Sequence, residues 1–141
     1  MEVEVNYWAV LLAAVSSMVV GSVWYMPKVF GNVWMKLTKV KPNKNMSGKD
    51  MARLYGLTFL ASLVTAYVLA HVTFLSNHFF KNSFLQDAMS TAFWLWLGFT
   101  AARLLVHDLF EYRPKKLTVL NAAHELLTVL VMALVIGAMG V

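Results

Sequence analysis

The chain has no cysteine, which excludes disulfides, thiolate catalysis and cysteine-ligated metal or iron–sulfur sites within its 141 residues. Charge is scarce too, at 13% of residues against 60% hydrophobic. A soluble domain of this length covers its core with Lys, Arg, Asp and Glu, and the 12 basic and 7 acidic residues here are too few and too crowded to do so. The catalytic signatures are missing as well. Ser16, Ser17 and Ser90 lack the context of a nucleophile elbow, no glycine-rich phosphate loop occurs, and no HExxH or comparable spacing marks a zinc site. An enzyme is therefore not expected, nor a cofactor or metal. The net charge of +5 sits on a chain with long apolar segments, so it is read as setting membrane orientation rather than as a footprint for nucleic acid.

What is present is length without charge. About 20 apolar residues are needed for a helix to cross the hydrocarbon core, and four segments qualify: 5–26, 52–77, 85–111 and 117–141. The first ends at Pro27, which cannot continue a helix. The third carries Arg103, His107, Asp108 and Glu111 towards its end, and the fourth is interrupted only by His124 and Glu125. Unbroken runs of this kind lack the alternation of barrel strands, so the fold class is all-α: an integral membrane bundle of four transmembrane helices, forming one domain over 1–141.

Lys and Arg concentrate in two connections, 27–51 and 112–116. The first holds Lys28, Lys36, Lys39, Lys41, Lys44 and Lys49, with Arg53 just beyond, and the second holds Arg113, Lys115 and Lys116. The other connection has only Lys81, and the chain starts with Glu2 and Glu4. Basic short loops stay on the cytoplasmic side, which predicts a multi-pass protein of the cell inner membrane with both termini non-cytoplasmic. An acidic start is the wrong charge order for a cleavable signal peptide, so Met1 to Val141 are expected to be retained.

Within 27–51, Val29, Phe30, Val33, Trp34 and Leu37 recur at helical spacing beside Lys28 and Lys36, which predicts a short helix lying in the membrane surface. Lys39 to Asp50, with Pro42 and Gly48, reads as a solvated loop, and Ser47 with Asp50 as the cap of the second helix. Trp8, Trp24, Tyr25 and Trp34 fall where interfacial aromatic anchors are enriched. Ala13, Ser17 and Gly21 on the first helix, and Ala133 and Gly137 on the fourth, recur every four residues as stripes for close helix contact, within one bundle or between copies. Four helices enclose little interior, so a homo-oligomer is expected, with the lipid bilayer as the other partner.

Several stretches are similar to one known family. Gly21-Ser22-Val23-Trp24-Tyr25-Met26-Pro27, followed by Phe30-Gly31 and Trp34-Met35, closely resembles the end of the first helix in the bacterial membrane family catalogued as domain of unknown function 1761. Trp96-Leu97-Gly98-Phe99, Phe110-Glu111-Tyr112-Arg113 and Leu120-Asn121-Ala122-Ala123-His124 extend the resemblance over nearly the whole chain. It implies a small four-helix membrane protein. The family has no established activity, so the resemblance implies no catalytic residues.

Function must then be sought in the ionisable groups of the last two helices, because a charge in the bilayer costs several kcal/mol and is usually paired or functional. Trp96, Thr100, Arg103, His107 and Glu111 follow three- and four-residue steps on helix three, and Asn121, Glu125, Thr128 and Met132 do so on helix four beside His124. Arg103 and Glu125 each lie eight residues from the turn, which predicts that they meet, with His107 and Asn121 in the next layer. Three readings are open: a structural clasp between Arg103 and Glu125; a conduction site using His107, His124, Glu125 and Asp108; or a metal or enzyme site using His107, Asp108, Glu111 and His124. His71 with Tyr67 is a separate pair towards the other membrane face. The resulting expectation is a transporter or channel subunit for protons, cations or a small polar solute; the alternative is a non-catalytic accessory or scaffold protein.

Overall fold

Asn6 opens the first helix, its side-chain oxygen accepting the backbone N–H groups of Trp8 and Ala9, both at 3.1 Å. Helix α1 (Tyr7–Trp24) runs to the Tyr25-Met26-Pro27 break. In this computed structural model, which describes residues 3–41 and 45–140, every regular element is a helix. Met1, Glu2, Pro42, Lys44 and Val141, named above, lie outside the described residues.

Beyond Pro27 a π-helical turn (Pro27–Gly31) leads into α2 (Asn32–Thr38), the short helix expected after the first span. A Cβ on Gly31 would collide with the Tyr25 carbonyl oxygen, which is why glycine is needed where the chain doubles back. Helix α3 (Gly48–Phe80) is capped by Ser47 as predicted, its hydroxyl accepting from the Asp50 N–H at 3.2 Å; the Asp50 carboxylate takes the Ser47 hydroxyl proton at 2.6 Å rather than the Ser47 backbone N–H of a full capping box. The third long helix is continuous but not uniform: α4 (Phe84–Leu95), a π-helical turn (Trp96–Ala101) and α5 (Ala102–Phe110). Helix α6 (Lys115–Met139) follows a tight turn in which Tyr112 takes a left-handed φ of 54°.

Four of these helices, Tyr7–Trp24, Gly48–Phe80, Phe84–Phe110 and Lys115–Met139, are long and apolar enough to cross a membrane. No more than 28% of the apolar stretch of any of them is buried in the bundle, so most of their large side chains need a lipid-like surround. Helix α1 packs on α3 and α6, and α4 packs on the same two, giving a ring in the order α1, α3, α4, α6.

The core lies towards the end of the bundle where α1 begins and α6 finishes. Ala9, Ala13, Ala14, Ala66, Ala88 and Ala133 are all at most 1% exposed, and their lack of bulk lets the backbones close on one another. Both small-residue stripes are used in this way: Ala13 and Ser17 are buried, and Gly137 lies directly against Leu85 of α4. Beyond this core the helices diverge. No residue of α3 before Ala66 is buried, and α3 makes no contact with α5 among the described residues. The bundle is shut at one end and splayed at the end that carries the basic connections.

Candidate functional site

The splay opens a cleft of about 650 Å³ between the last turns of α1, the first half of α3 and the first half of α6. Glu125 and His124 of α6 stand in it, facing Tyr25 and Ser22 from α1 and Tyr55, Thr58, Ser62 and Thr65 from α3. Those four α3 positions follow steps of three and four, so one helix face delivers four hydroxyls to the cleft. The predicted stripe on α6 enters as well, through Glu125, Thr128 and Met132.

His124 is the best-held group. Its ring lies 5.0 Å from that of Tyr25 and 5.7 Å from that of Trp24, and Trp24 stacks in turn on Phe30 at 4.4 Å. A Cβ on Gly21 would already touch His124 Nε2 at 3.7 Å, so a side chain longer than alanine would drive into the imidazole. On the far side of α6, Trp96 Nε1 donates to the Ala122 carbonyl at 2.9 Å. The motif at the end of α1, the Trp96 motif and the motif ending in His124 thus converge, although up to 100 residues separate them. His124 Nδ1 stands 3.5 Å from Glu125 Oε1. That is long for a hydrogen bond, and no hydrogen bond reaches the Glu125 carboxylate among the described residues, so its acceptor capacity is unspent. Its side chain is 43% exposed, against 13% for His124. At the mouth, burial first and the Glu125 charge second raise the Tyr25 phenol above its ordinary value, so it remains a neutral hydroxyl.

The other predicted residues are elsewhere. Arg103 and His107 are exposed on the outside of α5, and neither forms an ion pair among the described residues. The expected Arg103–Glu125 clasp and the His107–Asn121 layer are therefore not formed; Asn121 is partly buried outside the cleft. The reason is the π-helical turn. Ala102 N–H reaches back five residues to the Leu97 carbonyl, and the inward face steps from Trp96 to Ala101, then to Leu104 and Asp108. One extra residue turns everything after it by about 100°, so counting in α-helical steps gives the wrong face. Removing Arg103 and Glu125 singly and together (Arg103→Leu, Glu125→Leu) is accordingly expected to be additive within about 0.5 kcal/mol in chemical unfolding; coupling well above that would restore the pair.

A clasp between the last two long helices does exist, one turn nearer the connection. Asp108 is 7% exposed and accepts the Thr118 hydroxyl of α6 at 2.6 Å, with Arg113 Nε 3.8 Å from its other oxygen. Arg113 also pairs with Glu111. Asp108 and Glu111 thus fasten the turn and take no part in the cleft. His71 and Tyr67 have ring centroids 6.1 Å apart on α3, and His71 Nδ1 is buried with no partner among the described residues.

No curated protein and no solved structure matches the chain. A family model described as protein of unknown function (DUF1761) matches residues 8–137, which takes in α1 through nearly all of α6 together with the three motifs that meet at His124. The chain therefore belongs to the DUF1761 family.

Proposed function

We propose that this protein is a subunit of a membrane transporter or channel that admits a small polar or cationic solute through the splayed end of the bundle. The observation that carries this reading is the Glu125–His124 pair standing in an open, hydroxyl-lined cleft among membrane-length helices. An ionisable pair kept only for stability would be sealed and satisfied, as Asp108 is at the turn, whereas Glu125 is accessible and accepts no hydrogen bond among the described residues. A cleft of about 650 Å³ also falls within the range that holds small ligands. The basic connections flank its open end, which by the charge rule faces the cytoplasm of a cell whose inner membrane holds the bundle, with both termini on the other side. The opposite half is closed by alanine packing, so a complete path calls for a conformational change or a second copy, and we place the chain in a homo-oligomer on that ground.

In proteoliposomes the intact protein is expected to raise proton or cation flux above that of empty vesicles, and Glu125→Gln to reduce that flux at least tenfold. No flux from the intact protein, or full flux from the variant, favours the accessory or scaffold role instead. For orientation, a cysteine placed at Asn82 is expected to react with an impermeant reagent added outside, and one at Lys115 to be shielded. The opposite labelling pattern inverts the topology.

A further inference from the structure

We infer that the ligand of this cleft is an amphipathic organic ammonium ion that enters sideways from the adjoining lipid leaflet. The inference rests on the reading of the cleft as a solute site and adds the chemical class of that solute. Charge is the first ground. In a chain of net charge +5, no lysine or arginine among the described residues lines the cleft, although they crowd the connections beside it. Glu125 is its one carboxylate among the described residues, so the described lining carries an acid and no base within a basic protein.

The hydroxyls supply the second ground. Ser17, Ser22, Thr58, Thr65 and Thr128 each donate to a carbonyl three or four residues back on their own helix, at 2.7 to 3.1 Å. Their protons are spent and their lone pairs remain. Tyr25, Tyr55 and Ser62 keep their protons, but a lining of one carboxylate and five acceptor-only hydroxyls with no cationic side chain among the described residues favours a guest that brings N–H donors or a diffuse positive charge over an anion. A bare divalent ion is a poor match, because it requires several charged oxygens converging within about 2.6 Å. The cleft is instead sized for an organic body, and the rings of Tyr25 and Tyr55 add faces that attract ammonium groups. The third ground is the side opening. Among the described residues, helix α5 neither touches α3 nor contributes a residue to the cleft, which leaves the α3 side uncovered, and Met18, Leu54 and Val129 give it apolar flanks, so a ligand with a greasy body can slide in from the leaflet and leave its charge at Glu125.

The test uses the full chain in nanodiscs, with three probes of similar size: benzyltrimethylammonium, the neutral N,N-dimethylbenzamide and the anion benzenesulfonate. Uptake is measured by equilibrium dialysis and corrected with empty nanodiscs. The ammonium probe is expected to bind saturably, and the amide and sulfonate not to. Glu125→Gln should weaken ammonium binding at least tenfold. Should that variant misfold, Thr58→Phe serves in its place, since Thr58 lies on an exposed face of α3 and a phenyl group there fills the cleft; it should abolish binding. Equal binding of the amide, binding of the sulfonate, or undiminished ammonium binding by either folded variant overturns the inference. Flux of the same probe in liposomes separates the two claims. Ammonium binding without flux rejects transport and leaves the ligand class standing, whereas flux of another solute without ammonium binding does the reverse.

Discussion

Replacing Gly137 by leucine is expected to leave no stably folded bundle. Helix α6 passes α4 at Gly137 so closely that a Cβ there would stand 2.7 Å from the Leu85 Cα and 3.2 Å from the Ala88 Cβ. Because the first of these is backbone, no rotamer change relieves it, and α4 must move away. Gly137→Ala should already cost about 1 to 3 kcal/mol, the usual range for overpacking, and Gly137→Leu, with three more carbons in the same gap, should exceed it. Ala138, the next residue, is exposed, so Ala138→Leu ends with the same side chain, three carbons larger than the native one, without the collision. Thermal unfolding followed by circular dichroism should show a large fall for Gly137→Leu and almost none for Ala138→Leu. Equal melting of the two variants would mean that α4 and α6 do not approach as described.

The second large effect is expected at Asp87, whose carboxylate closes the same end of the bundle from the loop side. Asp87 is only 2% exposed, and no ion pair neutralises it among the described residues. Its charge is held instead by two amides: Asn77 Nδ2 donates to one oxygen at 2.8 Å and Asn82 Nδ2 to the other at 2.9 Å, while Asn77 also donates to the Asn82 carbonyl. These bonds tie the end of α3 to the start of α4 across a connection in which Lys81 is left-handed, at φ 57°. Asp87→Leu removes both acceptors and should destabilise by about 3 kcal/mol, since hydrogen bonds to a charged group contribute about 1.5 to 3 kcal/mol each. Asp87→Asn keeps one acceptor oxygen and turns an NH₂ group towards another NH₂, so it should fall between Asp87→Leu and the native chain. Chemical unfolding in mixed micelles provides the ranking. An Asp87→Leu variant as stable as the native protein would show that the loop is held by packing alone.

The two positions together keep one end of the bundle shut while the other stays open. Asp87 belongs to the third membrane-length segment, yet an ionisable cluster sought only near the last turn passes it over. Its partners could be found only from the connection, where Asn77, Asn82 and Asp87 recur every five residues and so share no helix face. By contrast, the polar stripe Tyr55, Thr58, Ser62 and Thr65 was open to view in the spacing of α3. Attention to charge alone missed it, because hydroxyls cross a bilayer cheaply and do not stand out in a hydropathy reading.

The sequence by itself determined that four apolar helices form and that a short helix follows the first, because these depend on local propensity and on the thickness of a membrane, and its motifs resembled the family whose model matches the chain. The polar stripe of the fourth span was legible too: Glu125, Thr128 and Met132, with His124 beside them, line the cleft. Which face each group presents was decided only in three dimensions. A π-helical turn at Trp96–Ala101 rotates α5, sends Arg103 and His107 outward and Asp108 inward, and leaves Glu125 without the arginine that its depth suggested. The divergence of α3 from α5 is tertiary for the same reason: alanines and Gly137 pull the helices together at one end, and nothing of that size continues the contact at the other. The cleft is the consequence of that uneven packing, and no single helix carries the information for it.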